Sequence, residues 1–257
     1  MLLAINSNNT NVKFALYDGD REVGSWRIGT DTKRTADEYA IWLIQLMALK
    51  GKQPSDVTEC LIASVVPDTL YNLRQLCRTY FGHDALVYGE APVKKGTVAK
   101  VDSPEEVGAD RLVNTVAAHH FYGGPAIVVD FGTATTFDVV DADGNYCGGV
   151  IAPGINLSIE ALRMAAALLP RVAVRRPDKV IGSNTVGCFE SGIFWGYISL
   201  IEGLVARIRN EFGQPMKVIA TGGLVPVFAD ATDIFDILDQ DLTMKGMVIV
   251  NRLNRQA

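Results

Sequence analysis

The sequence contains few of the residues that mark secreted, zinc-binding or membrane proteins. Only four of its 257 residues are cysteine and three are histidine, and no two cysteines form a CxxC pair. This scarcity argues against a zinc site and favours reduced thiols in a cytoplasmic protein. No apolar run is long enough to span a membrane, and polar Asn6 follows the apolar start too early for a signal peptide. We therefore expect a cytoplasmic protein without a membrane partner.

Clustered positive charge is also lacking. The chain has 24 Lys and Arg residues against 29 Asp and Glu residues, a net charge of −5. The short basic runs Lys94-Lys95 and Arg175-Arg176 are too sparse for a nucleic-acid surface, so we expect no nucleic-acid partner. The length and the ordinary apolar content of 48% allow one large domain or two small ones with their own cores.

The most informative stretch of the chain reads PAIVVDFGTATTFDVVDADGNYCGGVIAPG. Ala126 to Val129 predict a buried strand that ends at the carboxylate of Asp130. A turn of small residues, 132–136, leads into a second strand from Phe137 to Val140, and Gly148-Gly149 mark the end of a third. A Gly/Thr turn lets backbone N–H groups and hydroxyls approach phosphate oxygens, while Asp130 suits a cation.

The N-terminal segment has the same design, with residues 6–10 as its polar turn. Asn6 and Asp130 lie 124 positions apart, and Gly19 and Gly144 in the later turns lie 125 apart, so the two units match within one residue. This spacing predicts a twofold internal repeat, in which two similar hairpins hold one polyphosphate from opposite sides. Two ordinary hairpins in an α/β protein are the alternative.

The rest of the chain alternates helices and strands, which indicates a mixed or parallel sheet and an α/β fold. Further strands are predicted over 59–66, 85–88 and 218–220, and helices over 35–47, 68–81, 110–120, 156–169, 185–212 and 242–253. Thr35 with Glu38 predicts a capping box at the first helix, and Pro170 is expected to close the fourth.

A second cluster, SPEEVGADRLVNTVAAHHF, brings a carboxylate and a guanidinium together at the start of a helix. Asp110 can accept a proton, and the adjacent Arg111 can hold an anionic substrate. Spacing alone favours the alternative, a helix-capping Asp beside a surface Arg. Just upstream, Ser103 and Glu106 predict another capping box.

Small residues form a stripe along the long helix that Gly182 to Thr185 caps. Its members are Gly187, Ser191, Gly192, Gly196, Ser199 and Gly203. Such a stripe lets another helix approach closely, either across a dimer seam or within the chain. After the next strand, the turn Thr221-Gly222-Gly223 lets the chain pass flat against a planar ligand such as adenine.

Together these pieces resemble type III pantothenate kinase, a family of the actin-like sugar-kinase superfamily, over nearly the whole chain. The matching motifs, in order, are Gly108-Ala109-Asp110-Arg111, Asp130 to Thr136, Gly148 to Gly154, Gly182 to Thr185 followed by Ser191-Gly192, and Thr221-Gly222-Gly223. The resemblance implies two actin-like, ribonuclease H-like α/β halves over residues 1–118 and 119–257, each a mixed sheet flanked by helices. It implies nucleotide bound between the halves, and a terminal helix that is free to pack back on the first.

The resemblance also implies an activity, transfer of the γ-phosphoryl of ATP to pantothenate as the first step of coenzyme A biosynthesis. It makes Asp110 the base and assigns Gly108, Ala109, Asp110, Arg111 and Thr185 to pantothenate, with Thr185 acting across a homodimer interface. It assigns to ATP the residues Asn6, Ser7, Asn8, Asn9, Thr10, Asn11, Val12, Lys13 and Thr133. Mg²⁺ would accompany the nucleotide, and Asp130 would hold a monovalent cation, potassium or ammonium.

The first phosphate motif departs from the family pattern. The family has Asp-x-Gly-Asn-Thr, whereas this chain has Asn6-Ser7-Asn8-Asn9-Thr10. Asn8 can replace Gly because Asn tolerates a positive φ. Asn6 keeps one hard oxygen but lacks the charge that helps to hold Mg²⁺, so we expect a raised Mg²⁺ requirement. A catalytically weak nucleotide-binding or regulatory protein, and a kinase of another small hydroxyl compound, are the alternatives.

Overall fold

The structure, a computed structural model, describes residues 1–166 and 172–255 of the chain. These residues divide into two compact units, one formed by Met1–Ala117 with the chain from Thr243 onward, the other by Ala118–Leu242. The predicted continuation of the fourth helix to Leu169 is wrong at Ala166, which is extended directly after the helix ends at Ala165; its remaining part and the stop at Pro170 lie outside the described residues. Within the described residues, no helix is both long enough and apolar enough to cross a membrane.

The first unit contains a mixed five-stranded sheet. Its strands are β1 (Leu2–Ser7), β2 (Asn11–Asp18), β3 (Arg21–Gly29), β4 (Glu59–Ser64) and β5 (Leu86–Val87). They lie in the order β3-β2-β1-β4-β5, where β1 to β3 form an antiparallel meander and β4 and β5 extend it by parallel pairing. Every residue of the central strand β1 is buried, as expected for a strand covered on both faces.

The second unit repeats this plan. Its strands are β6 (Ala126–Phe131), β7 (Ala134–Val140), β8 (Tyr146–Pro153), β9 (Lys217–Gly222) and β10 (Ile237–Leu238). They lie in the order β10-β9-β6-β7-β8, again an antiparallel meander extended by two parallel strands. In both units the strand order is third-second-first-fourth-fifth, so the internal repeat predicted from the spacing is present in the topology.

Helices cover these sheets and complete two separate cores. They are α1 (Ala36–Ala48), α2 (Pro67–Phe81), α3 (Ala109–Tyr122), α4 (Ile155–Ala165), α5 (Thr185–Phe212), the single turn α6 (Val225–Phe228) and α7 (Leu242–Arg255). In the first core, Tyr39, Leu43 and Met47 of α1 pack at helical spacing against sheet residues such as Phe14. The predicted α/β class, with two mixed sheets flanked by helices, is confirmed. The short elements β10 and α6 were not predicted.

The last helix, α7, completes the first unit rather than the second. Asn251 Nδ2 donates to Glu59 Oε2 in β4 at 2.6 Å, and Thr243 Oγ1 donates to Asn114 Oδ1 in α3 at 2.7 Å. A Cβ at Gly246 would lie 2.4 Å from the Val113 carbonyl oxygen, so glycine permits close contact between α7 and α3.

Both hairpin turns are shorter than the sequence predicts. Asn6 lies inside β1, and the predicted small-residue turn 132–136 is reduced to Gly132 and Thr133, because residues 134–136 belong to β7. β-branched threonines pair well within strands, and Thr136 pairs with Asp130. The expectation that Gly148-Gly149 end the third strand is wrong, since β8 continues to Pro153 through an irregular register.

The predicted helix starts are confirmed except at one site, and the end of α5 is marked by a glycine. The Thr35–Glu38 capping box forms, Asn184 caps α5, and Gly213 ends α5 in the left-handed conformation. The capping box expected at Ser103 is wrong, because Ser103 makes no side-chain cap bond and the next three residues form only a 3₁₀ turn.

Candidate active site

The first group of candidate residues lies at the carboxyl end of β1. Asn6 is directly opposite Lys13 of β2 and Ala63 of β4, so the side chains of Asn6 and Lys13 project from the same face of the sheet. Asn6 is only 5% exposed, and its Oδ1 has no hydrogen-bond partner. A buried acceptor without a donor costs about 1–3 kcal/mol, which is typical of a group that a ligand completes.

The turn between β1 and β2 is held by its backbone. Asn8 N donates to Asn11 O at 3.0 Å, while Thr30 donates through N to Thr10 O at 3.0 Å and through Oγ1 to Asn8 O at 2.5 Å. Asn9 and Thr10 are exposed at the tip, and Asn8 Oδ1 is buried without a partner. Within the described residues only glycines have positive φ, so Asn8 does not need the left-handed conformation that Asn tolerates.

Two predicted nucleotide residues have side chains in the core. Ser7 is fully buried and its Oγ lies 2.8 Å from Thr69 Oγ1, in a hydrogen bond that either hydroxyl can donate. Val12 is fully buried and packs in the apolar core of the first unit. These two residues could therefore contact a ligand only through their backbone.

Asp110 occupies the first turn of α3. Arg111 N donates to Asp110 Oδ1 at 2.8 Å, and a Cβ added to Gly108 would lie 2.7 Å from that same oxygen. The carboxylate therefore lies against Gly108, whose missing side chain leaves room for it. Burial raises the pKa of Asp110 above its ordinary value of 3.8, while the backbone N–H and charge of Arg111 partly oppose the rise.

Val65 connects the Asp110 turn to the end of β1. Its N donates to Ser7 O at 3.0 Å, which extends the pairing of β1 with β4. Its Cγ1 would lie 3.3 Å from a Cβ at Gly108. The structure thus brings Gly108 and Asp110 to the same end of the sheet as Asn6. Ala109 and Arg111 are half-buried beside them.

In the second unit, Asp130 lies near the carboxyl end of β6, opposite Thr136 of β7 and Thr221 of β9. Gly222 has φ +98°, and a Cβ there would lie 2.7 Å from Phe131 O and 2.8 Å from Asp130 Oδ1. Two oxygens thus lie beside the space that glycine leaves, an arrangement that fits a cation that prefers hard oxygen ligands.

Within residues 1–166 and 172–255, no group of three or more His, Cys, Asp or Glu side chains could hold a metal ion. A cation at Asp130 would therefore need backbone or hydroxyl oxygens as well.

Asp138 was not singled out from the sequence, although a charge inside the apolar run TTFDVV was the available signal. It is fully buried and accepts a hydrogen bond from Thr136 Oγ1 at 3.1 Å, which orients that hydroxyl beside Asp130.

The glycine of the PG motif closes the turn between β6 and β7. Gly154 N donates to Thr133 O at 3.1 Å, and a Cβ at Gly154 would lie only 2.3 Å from that oxygen. Glycine is therefore required for the close approach. Thr133 is exposed at the tip of this turn, where it can reach a ligand.

Thr185 is exposed at the start of α5 and lines an open cavity of about 630 Å³. The other lining residues are Leu162, Gly182, Ser183, Asn184, Cys188 and Phe189. Asn184 Oδ1 accepts from Gly187 N at 2.9 Å, and Gly182 packs against the backbone at Cys188. The Gly-x-Asn-Thr motif thus shapes this helix start, and the cavity volume suits a small organic molecule.

Comparison with solved structures supports the fold. The chain superposes with a TM-score of 0.64 and 18% identity on a Campylobacter jejuni protein assigned to the Baf family of transcriptional activators, covering 99% of this chain and 100% of that one. It superposes with a TM-score of 0.60 and 10% identity on a Sinorhizobium meliloti protein named as a 2-dehydro-3-deoxygalactonokinase, covering 98% and 96%. Both likenesses concern the fold alone.

Sequence comparison is more specific. The family model of type III pantothenate kinase matches residues 2–207. A type III pantothenate kinase of Paramagnetospirillum magneticum is 60% identical over 99% of this chain and 98% of its own length. One from Rhodospirillum rubrum is 59% identical over 99% of both. The chain therefore belongs to the type III pantothenate kinase family and is an ATP-dependent pantothenate kinase.

Proposed function

We propose that Asp110 is the base that accepts the proton of the pantothenate hydroxyl as the γ-phosphoryl of ATP is transferred. The observation that carries the proposal is the half-buried Asp110 carboxylate, whose pKa is raised by burial, at the same sheet end as Asn6. A base acts best when its pKa lies near the working pH. Gly108, Ala109 and Arg111 line the pantothenate site beside it.

The two hairpin turns hold ATP in this proposal. The phosphates are contacted in the first unit by the side chains of Asn6, Asn8, Asn9, Thr10, Asn11 and Lys13. Ser7 and Val12 contribute only their backbone. In the second unit, Thr133 contacts the phosphates. Mg²⁺ is bound mainly by the phosphates, with Asn6 Oδ1 as the hard oxygen this chain offers. Potassium or ammonium binds at Asp130. Phosphoryl transfer needs this positioning and charge neutralisation more than covalent chemistry.

The two halves, 1–118 and 119–257, are proposed to be the actin-like lobes of the fold.

We also propose the cytoplasm as the location of the protein. No disulfide joins the four cysteines, all of which lie among the described residues, and reduced thiols suit that compartment.

The central test is an assay of ATP and pantothenate with Mg²⁺, in matched potassium and sodium buffers. We expect 4′-phosphopantothenate as the product, with potassium or ammonium activating and sodium not, because the oxygens beside Gly222 suit a weakly hydrated cation. Absence of product at millimolar substrate with potassium would contradict the kinase assignment. Equal rates in the two buffers would contradict the proposal that Asp130 binds an activating monovalent cation.

A homodimer is the proposed assembly, with α5 in its seam and Thr185 reaching pantothenate across it. Large apolar side chains are exposed on β8, on α4, in the segment before α5 and at the start of α5: Ile151, Leu157, Leu162, Met164, Val180, Ile181 and Val186. Covering such side chains in an interface would remove their apolar surface from water. On α5 itself, a Cβ at Gly192 or Gly196 would meet nothing within 4 Å. The small-residue stripe is thus open within the chain at these positions, which supports a dimer seam.

The open position at Gly196 permits a clean test of the dimer. We expect Gly196→Arg to fold normally, because a Cβ there would have no atom of the described residues within 4 Å, and to give a monomer by light scattering at micromolar protein. Gly29→Arg is the matched control, since it is equally open but lies on β3 of the first unit; it should stay dimeric. A monomeric parent protein with full activity would overturn the proposal.

A further inference from the structure

The turn between β1 and β2 is held by Thr30, a half-buried residue that follows β3 and lies outside the segment assigned to ATP. Its N donates to Thr10 O at 3.0 Å, and its Oγ1 donates to Asn8 O at 2.5 Å. In a trans peptide unit the C=O and N–H groups point in opposite directions. The N–H groups of Asn9 and Asn11 are therefore directed away from Thr30.

The second unit repeats the backbone part of this arrangement. Gly154 follows β8 as Thr30 follows β3, and its N donates to Thr133 O at 3.1 Å, as Thr30 N donates to Thr10 O. A Cβ at Gly154 would lie 2.3 Å from that oxygen, so this position has no room for a side chain. Of the two turns, only the first has a hydroxyl bond from this position. The hydroxyl bond is thus an addition to the shared plan.

The hydroxyl of Thr30 takes the place of a backbone donor at Asn8. In a two-residue hairpin turn, the residues that flank the turn can exchange two backbone hydrogen bonds. Here Asn8 N donates to Asn11 O at 3.0 Å, but within residues 1–166 no bond from Asn11 N to Asn8 O closes the turn. The Asn8 carbonyl accepts from Thr30 Oγ1 instead.

Asn11 N is not used by β3 either. Asn11 lies opposite Gly29, and the bond from Thr30 N to Thr10 O lies next to this pair. In an antiparallel ladder, such a bond marks the pair as one that does not exchange hydrogen bonds, so the N–H of Asn11 faces away from β3. Among the described residues, Asn11 N–H is thus left as a donor at the end of the turn.

We propose that Thr30 is a positioning residue for ATP: its hydroxyl binds Asn8 O and so keeps Asn11 N–H available to a phosphate oxygen. Without the hydroxyl, Asn11 N–H closes the turn on Asn8 O and is lost to the ligand. A backbone N–H bound to a charged oxygen forms one of the stronger hydrogen bonds in proteins. The proposal rests on the proposed role of the β1–β2 turn in binding ATP phosphates.

The first test is calorimetric titration of the full-length protein with Mg²⁺-ATP. Thr30→Val keeps the shape and the backbone N–H of the residue but removes the hydroxyl. We expect it to bind ATP at least about tenfold more weakly, the usual loss for a hydrogen bond to a charged group, with KM for pantothenate unchanged. Thr30→Ser keeps the hydroxyl and should bind ATP like the parent. Thr32→Val, the same change at an exposed position of the same loop, is the matched control and should also bind like the parent.

The amide signal of Asn11 in ¹H–¹⁵N spectra tests the mechanism directly. In the parent, saturating ATP should move this signal downfield. In Thr30→Val, the signal should lie downfield before ATP is added, because Asn11 N–H then binds Asn8 O, and it should respond little to ATP. If Thr30→Val fails to fold, the parent spectrum decides, since an Asn11 signal that ATP does not move would overturn the proposal.

Two further results would overturn the role of Thr30: Thr30→Val that binds ATP like the parent, or an Asn11 signal that responds equally to ATP in both proteins. If the parent forms 4′-phosphopantothenate in those cases, the proposed function survives. If the parent binds no ATP, both the proposed function and the role of Thr30 fail.

Discussion

Asp110→Asn is expected to lower kcat by about 10²–10⁴-fold, the usual range for removal of a positioned general base. The amide keeps the size of the carboxyl and its position over Gly108, and its oxygen can still accept from Arg111 N. KM for pantothenate should change far less than kcat. Steady-state kinetics with varied pantothenate measure both, and unchanged circular dichroism checks the fold.

The same substitution should not destabilise the protein at neutral pH. Burial raises the pKa of Asp110, so the folded state binds this proton more tightly than the unfolded state. Its stabilising contribution is fully present below pH 3.8 and is lost as the pH rises through the raised pKa. At pH 7 the charge on this half-buried carboxylate is therefore a cost, and Asp110→Asn should leave the free energy of unfolding equal or higher.

Asp68→Asn is the matched control for Asp110→Asn. Asp68 also lies in the first turn of a helix, α2, but it is exposed. Its replacement should leave kcat within about twofold and lower stability slightly, because an acidic residue favours a helix start. If both variants behave alike, with unchanged kcat, then Asp110 only caps α3.

The second large effect is expected from Gly222→Ala. The added Cβ would lie under 3 Å from Phe131 O and N and from Asp130 Oδ1, at a φ of +98°. Left-handed backbone costs about 1–2 kcal/mol for an L-residue, and overpacking costs a further 1–3 kcal/mol or so. We expect Tm to fall by roughly 5–15 °C, since each kcal/mol shifts Tm by about 2–4 °C in a chain of this size.

Gly223→Ala distinguishes this effect from a general cost of losing glycine. A Cβ at Gly223 would meet nothing within 4 Å, so its Tm should stay within a few degrees of the parent. Gly222→Ala should also lose activation by potassium, because its methyl group enters the space beside the Asp130 carboxylate. Equal Tm values for the two variants by scanning calorimetry would show that the backbone around Gly222 accommodates the added methyl group without loss of stability, which would contradict this prediction.

The sequence predicts the parts of this fold that depend on local pattern. Thr35 with Glu38 forms the expected capping box because both partners lie within one helical turn. The spacing of Asn6 and Asp130 predicts the repeat, since each lies near the end of the first strand of its unit. The end of each turn was harder to predict, because asparagine and threonine occur in both turns and strand ends.

Contacts between distant segments could not be predicted from the sequence. Nothing in Val65 indicates that its backbone pairs with Ser7 while its side chain lies against Gly108. The raised pKa of Asp110 depends on burial by residues far along the chain. The motif glycines were recognisable from the sequence, but the sequence does not indicate that Gly154 leaves room for the Thr133 carbonyl rather than for a ligand.

The return of α7 to the first unit has a consequence for synthesis on the ribosome. Domains generally fold in the order in which they emerge, N-terminal first. Here β4 and α3 receive their contacts with Asn251 and Thr243 only after the final helix has been made. The second unit, Ala118–Leu242, is complete before that helix leaves the ribosome. The N-terminal unit is therefore the later of the two to finish, and nascent chains halted before α7 should expose its apolar surface to chaperones.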